Sequence, residues 1–144
     1  MKIKSKIGIG ILAYNHERFI AKAIESALEQ ETEFEYAIFI ADDGSSDKTL
    51  EIAKSYQVKY PEKIALIIEK DVNAGVYNSA MQLFESWEGD YIALMDGDDY
   101  WCHPQKLQKQ VEFLENNRDY AGCFHDAKIE NKLEEGRGNQ KVYD

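Results

Sequence analysis

The chain begins with a nearly continuous apolar run, Ile7 to Ala13, of the kind that forms a strand covered on both faces in a parallel sheet. The polar break at Asn15, His16 and Glu17 ends it, and Asn15 is placed to cap a following helix. Phe19, Ile20, Ala23, Ile24, Ala27 and Leu28 recur at helical spacing and predict one apolar face running to about Gln30. Residues 36–41 predict a second strand, and 42–47 a turn whose Asp and Ser side chains can cap the next helix. In that helix Leu50, Ala53, Tyr56 and Tyr60 form the buried stripe, and Pro61 marks its stop. Residues 64–68 predict a third strand, and Val76, Ala80, Leu83, Phe84 and Trp87 a third amphipathic helix, broken at Gly89. A fourth strand, 91–95, runs into Asp96-Gly97-Asp98-Asp99, after which Pro104 opens a helix carrying Leu107, Val111 and Leu114. Residues 121–124 start a fifth strand. From Lys128 the chain is charged and lacks an apolar period, so a hairpin, a loop and a frayed end all stay open.

Strands alternating with helices at these lengths imply right-handed βαβ crossovers. The expected fold is α/β, an open and mainly parallel sheet with helices on both faces. At 144 residues and 44% hydrophobic content the chain can bury one core without disulfides or structural metal. Cys102 and Cys123 lack metal or redox spacing and are expected to be free, partly buried thiols. A formal charge of -10 argues against nucleic acid as partner. The same charge suits a small phosphate ligand if a cation neutralises protein carboxylates and phosphates together. The basic start is followed by an apolar run too soon interrupted for a signal peptide or a membrane span, so the default compartment is the cytoplasm.

In open α/β sheets ligands bind beyond the carboxyl ends of the strands, where strand order reverses. Three polar groups fall at such ends: Tyr14 and Asn15 after the first strand, Asp42 and Asp43 after the second, and Asp96, Asp98 and Asp99 after the fourth. They converge if the fourth strand lies beside the first. A nucleoside diphosphate needs a hard cation held by one or two carboxylates on a rigid strand end, and Asp96 and Asp98 at i and i+2 suit that demand. Gly97 between them allows close approach, Tyr14 can cover a base, and Asp42 or Asp43 can accept a base N–H. Each signal has a plain alternative, since DxD is common in acidic chains and Asp-Asp-Gly-Ser is an ordinary turn. His16, His103 and His125 have no metal-ligand spacing and receive no role.

Four segments in order, Ile9-Gly10-Ile11-Leu12-Ala13-Tyr14-Asn15, Ala41-Asp42-Asp43-Gly44-Ser45-Ser46-Asp47, Asn73-Ala74-Gly75 and Asp96-Gly97-Asp98-Asp99-Tyr100-Trp101, give the chain its resemblance to the family-two glycosyltransferases of GT-A fold. The similarity covers roughly residues 6–125. It implies a nucleotide-sugar-binding domain over 1–126, followed by a charged segment, 127–144. It implies that Ala13 and Tyr14, with Asn15, line the nucleoside pocket, that Asp42 or Asp43 contacts the base, and that Asn73 and Gly75 shape the wall. Asp96 would face ribose or metal, and Asp98 would ligate Mn2+ or Mg2+ on the diphosphate. A UDP-sugar is the first expectation for the donor, and a saccharide or lipid-linked hydroxyl for the acceptor. Hexosyl or N-acetylhexosaminyl transfer with inversion would serve cell-surface polysaccharide or glycolipid synthesis, with peripheral association at the inner face of the membrane.

Inverting transfer also needs a carboxylate general base, which in this family lies well beyond the DxD segment. Only 45 residues follow Asp99, and Asp126, after the expected fifth strand, is the one candidate. The expectation is therefore a shortened chain keeping the donor half of the site, with donor binding without turnover as the alternative. Two rivals carry less. Gly8, Gly10 and Ala13 spell a GxGxxA dinucleotide pattern, but inside the apolar run and not at a strand-to-helix turn. A phosphatase with a strand-end Asp nucleophile places its DxD on the first strand, where this chain has Tyr14 and Asn15.

Overall fold

A computed structural model describes residues 2–131 and 139–143. In chain order the elements are β1 (Ile3–Lys4), β2 (Ile7–Ala13), α1 (Ile20–Leu28), β3 (Tyr36–Asp42), α2 (Thr49–Lys59), β4 (Ile64–Glu69), α3 (Val76–Ser86), β5 (Trp87–Glu88), β6 (Tyr91–Asp96), β7 (Tyr100–Trp101), α4 (Lys106–Asn116), β8 (Ala127–Asn131) and β9 (Asn139–Tyr143). The central sheet has the order β4-β3-β2-β6, with every neighbouring pair parallel. Strand order thus reverses at β2: the chain steps outward through β3 and β4, then returns to place β6 on the other side of β2.

Alternation along β2 and β3 sorts side chains to two faces. Ile7, Ile9, Ile11, Ile38 and Ile40 pack against Ile20, Ala23, Ile24 and Ala27 of α1, Ala53 of α2, and Leu107 and Val111 of α4. On the opposite face Ala37, Phe39 and Ala41 pack against Leu83 of α3. Helices therefore cover both faces, as the sequence predicts. Ile9, Ile11, Ile24, Ile38 and Ile40 are fully buried, each contributing roughly 1.5–3 kcal/mol relative to exposure. Gly8 and Gly10 belong to this packing. A Cβ on Gly8 would lie 3.0 Å from the Trp87 ring, and one on Gly10 2.8 Å from Leu94 and 3.0 Å from Leu83. They let α3 and Trp87 close on the sheet, which disposes of the dinucleotide pattern.

Some expectations fail for physical reasons. Asn15 is not the cap of α1; Phe19 precedes the helix, and Asn15 sits in the left-handed region at φ 55°. Residues 121–124 form no strand; Ala121, Gly122 and Phe124 are exposed, and the next strand is β8, paired antiparallel with β9. Asp126 accordingly precedes a strand and does not follow one. On α3, Val76 and Phe84 are exposed while Ser79 is buried. Cys102 and Cys123 form no disulfide with each other, and Cys102 is exposed, not partly buried as expected. Among the described residues no helix is long and apolar enough to cross a membrane.

Candidate functional site

The register of the sheet brings the strand-end groups together. Ala13 is opposite Asp42 across β2 and β3, and Leu12 is opposite Asp96 across β2 and β6. The ladder continues one step further on both sides: the Asp43 N–H donates to the Ala13 carbonyl at 2.9 Å, and the Gly97 N–H to the Leu12 carbonyl at 2.7 Å. Three strands therefore end level, and their following residues share one rim.

A cleft of about 250 Å³ opens there, lined by Leu12, Ala13, Tyr14, His16, Asp43, Asn73, Gly75, Val76, Ser79 and Asp96. Of the sequence-predicted residues, Ala13, Tyr14, Asp43, Asn73, Gly75 and Asp96 line it directly. Asp42 does not: it is buried, and both its oxygens accept the Ser45 N–H, at 3.3 and 3.1 Å. Asn15 stands outside as well. Its Oδ1 accepts the Ser46 N–H at 2.8 Å, and its own N–H donates to Ser45 Oγ at 2.9 Å.

Those bonds are part of a clasp between the loops after β2 and β3. The His16 N–H donates to Thr49 Oγ1 at 2.7 Å, the Glu17 N–H to Asp47 Oδ2 at 3.0 Å, and the Lys48 N–H to Glu17 Oε2 at 3.1 Å. Asp47 Oδ1 also takes the N–H of Thr49, the first residue of α2, at 2.9 Å, although the N-cap position itself is Lys48 and carries no side-chain cap bond. Burial pushes the Asp47 carboxyl up, but the bonds from Thr49 and Glu17 outweigh it and hold the group below the ordinary carboxylate range. The αL geometry of Asn15, tolerated best by Asn among side-chain-bearing residues, is held by the same clasp.

Asp43 anchors the opposite wall. Its Oδ1 accepts from Lys70 Nζ at 3.1 Å, the Ala74 N–H at 3.0 Å and Ser79 Oγ at 3.0 Å; its Oδ2 accepts the Gly75 N–H at 2.8 Å. Burial raises this carboxyl, yet the Ala74, Lys70, Gly75 and Ser79 bonds together bring it below the usual range. Asn73 and Gly75 are thus positioned through Asp43, and Asn73 Oδ1 adds a bond from the Gly75 N–H at 3.1 Å. Lys70 and Ser79, which also bond each other at 2.8 Å, are site-building residues that the sequence pattern did not single out.

Gly44 lets this wall approach. It lies at φ +77°, and a Cβ there would stand 2.7 Å from the Val72 carbonyl carbon and 2.9 Å from the Asn73 nitrogen. Gly44→Ala is expected to cost about 2–4 kcal/mol, combining left-handed strain with backbone displacement, and to loosen the 72–75 wall; urea unfolding checks the stability, and amide exchange at Ala74 and Gly75 the loosening.

On the β6 side, carboxylate oxygens of Asp96, Asp98 and Asp99 all lie within 4.8 Å of one another. Asp96 is exposed, Asp98 half-buried and Asp99 buried. Three carboxylates that close repel one another, so each gains from a shared cation, and an all-oxygen set suits hard ions such as Mg2+ or Mn2+. Gly97 between them is packed from below: a Cβ would meet His16 Nδ1 at 2.8 Å and Ile20 Cδ1 at 3.1 Å. His16, given no role from sequence, therefore sits beneath the acidic loop and lines the cleft. A neighbouring cleft of about 290 Å³ is lined by Asp96, Asp99, Trp101 and His125, so the segment before β8 also reaches the acidic loop. Asp126, next to His125, is exposed.

The family model for glycosyl transferase family 2 matches residues 9–143. An uncharacterized protein of Mycobacterium tuberculosis is 36% identical over 118 residues, covering 82% of this chain and 34% of that protein. The chain thus spans about a third of the length of that relative. Among solved structures, TarS of S. aureus in complex with UDP-GlcNAc has a TM-score of 0.67 at 24% identity, over 92% of this chain and 36% of that one. A mannosyltransferase of Pyrobaculum calidifontis in complex with GDP-Man and Mn2+ has a TM-score of 0.69 at 17% identity, over 87% of this chain and 35% of that one. Both support the GT-A fold. With the family match across nearly the whole chain and the strand-end cleft in place, the chain belongs to glycosyl transferase family 2.

Proposed function

We propose that the cleft binds a nucleotide-sugar donor together with a divalent cation, Mn2+ or Mg2+, for transfer of the sugar with inversion to a saccharide or lipid-linked hydroxyl in cell-surface polysaccharide or glycolipid assembly. The observation that carries this reading is the register that sets the Asp96, Asp98 and Asp99 carboxylates at the same rim as the Tyr14, Asp43 and Asn73 cleft. The donors held by the two solved relatives, UDP-GlcNAc and GDP-Man, point to the same ligand class.

Asp98 and Asp96 are the residues that would hold the cation. A bound divalent ion supplies Lewis-acid stabilisation of the diphosphate as it departs. The remaining roles fall to the chain itself. Tyr14, 44% exposed at the rim, offers a face on which a base can stack, worth roughly 1–3 kcal/mol. Asp43 Oδ1 already accepts three hydrogen bonds and Oδ2 one, which leaves acceptor capacity on Oδ2 of this cleft-lining carboxylate. A carboxylate there favours a base presenting a ring N–H, as uracil, thymine and guanine do, over cytosine or adenine, which present a lone pair. UDP-sugars are the first choice within that set. On the acceptor side, Asp126 beside His125 is the carboxylate of this segment to test as general base.

Calorimetric titration of UDP, dTDP, GDP, CDP and ADP in the presence of Mn2+ tests the reading. UDP, dTDP or GDP should bind at least about tenfold more tightly than CDP and ADP, the loss of one hydrogen bond and the facing of two acceptors. Equal affinity across the five contradicts the role of Asp43, and no binding by the folded chain contradicts the donor site.

A further inference from the structure

The histidine under the acidic loop is unaccounted for by the roles above. His16 Nδ1 is buried and has no hydrogen-bond partner among the described residues, although the residue as a whole is partly exposed and lines the cleft with Ala13, Tyr14 and Asp96. Its backbone is tightly held. The N–H donates to Thr49 Oγ1, and the carbonyl accepts from Phe19 and Ile20 at 2.9 and 2.8 Å. The ring therefore has a fixed anchor and one sealed nitrogen, and it belongs to a residue that lines the cleft.

The sealed nitrogen faces Gly97 along the direction a Cβ would take, at 2.8 Å from that position, so a polarised Cα–H of Gly97 points toward Nδ1. A C–H complements a lone pair and opposes an N–H. A buried N–H without an acceptor is also among the rarest arrangements in folded proteins, rarer than an under-used acceptor. Both considerations place the ring proton on the other nitrogen.

We propose that His16 is a donor-site contact, with Nδ1 unprotonated against Gly97 and Nε2–H directed into the cleft beside Asp96 as a hydrogen-bond donor to an oxygen of the bound nucleotide, a ribose hydroxyl or a phosphate oxygen. This rests on the donor-site reading above and adds a residue to it. Gly97 acquires a second reason to be glycine: any side chain there would displace the ring that makes this contact. The clasp of Asn15, Glu17 and Asp47 then serves the same end, since it holds the backbone from which His16 projects.

Two measurements on the full chain test it. Nitrogen-15 NMR of the imidazole should show the Nε2–H tautomer in the nucleotide-free protein, with the Nε2 resonance moving when UDP and Mn2+ are added. In calorimetry with Mn2+, His16→Phe should weaken UDP about tenfold, the worth of one hydrogen bond, while His16→Gln, whose amide nitrogen can reach the Nε2 position, should recover most of it. Mn2+ affinity without nucleotide should stay the same in both variants. An Nδ1–H tautomer, or UDP affinity unchanged in a folded His16→Phe, overturns the role of His16 alone. Failure of the unaltered chain to bind any nucleoside diphosphate overturns the donor-site reading and this contact with it.

Discussion

Replacing Asp98 with alanine is expected to abolish Mn2+-dependent nucleotide binding and to leave the fold intact. Asp98 is half-buried at the turn after β6, and its carboxylate lies within 4.8 Å of those of Asp96 and Asp99. No ion pair or side-chain hydrogen bond of Asp98 occurs among the described residues, so its removal strips no structural partner and relieves repulsion within the trio. A bound cation, by contrast, would lose one of the three carboxylates of the cluster. UDP affinity in Mn2+ should fall at least about 100-fold, or about 2.7 kcal/mol, while the melting temperature without metal stays within a degree or two or rises. The two readouts move apart, which a merely destabilising substitution would not produce. An Asp98→Ala chain that keeps Mn2+-dependent binding removes Asp98 from the metal site.

Asp43→Ala has the opposite signature, with a large loss of stability. This carboxylate is buried and paired with Lys70, itself only 11% exposed at its side chain, and it gathers the Ala74 and Gly75 N–H groups and the Ser79 hydroxyl. Deleting it leaves a buried ammonium without its counter-charge and the Ala74 N–H without its acceptor, which is expected to cost about 3–5 kcal/mol and to lower the melting temperature by roughly 10 °C in a domain of this size. The pH dependence follows from the same bonds. Because the folded carboxyl is held below the ordinary value of 3.8, the unfolded chain binds more protons in acid. The contribution of Asp43 is therefore complete above about pH 4 and disappears as pH falls through the folded value. Asp47, depressed in the same direction, acts alike. Urea unfolding between pH 2 and 6 should show a shallower acid decline in Asp43→Ala than in the unaltered chain; parallel curves would remove Asp43 from the acid dependence.

How these features stood in the sequence depended on the kind of signal each carries. The strands β2, β3, β4 and β6 were legible because apolar runs bounded by polar turns have few other solutions in a chain of this size, whereas their order, with β6 beside β2, stood in the sequence only as a condition for convergence and is given by the fold. The acidic loop and the rim aromatic were legible as motifs. The misses share a physical cause: hydropathy records burial of apolar surface and is blind to polar groups buried because they are bonded. Ser79 takes an inward position on α3 through its bond to Asp43, while Val76 and Phe84, apolar and at helical spacing, stay exposed. Asp42 and Asp43 are neighbours of identical chemistry, and only the fold shows that one is enclosed by the Ser45 turn while the other borders the cleft. Asn15 has the composition of a helix cap, yet its side chain bonds the loop after β3, a partner 31 positions away that local pattern does not reveal. His16 is the same case, since its contact with Gly97 joins the loops that follow β2 and β6.

The acidic loop and the cleft are expected to act together as one metal-dependent nucleotide site. Titrating UDP calorimetrically into the unaltered chain, once with Mn2+ and once with the metal chelated, tests it directly. Saturable one-to-one binding is expected with Mn2+, and at least about tenfold weaker binding without it. Affinity that is equal in the two conditions, or no binding in either by a chain that is folded, contradicts it.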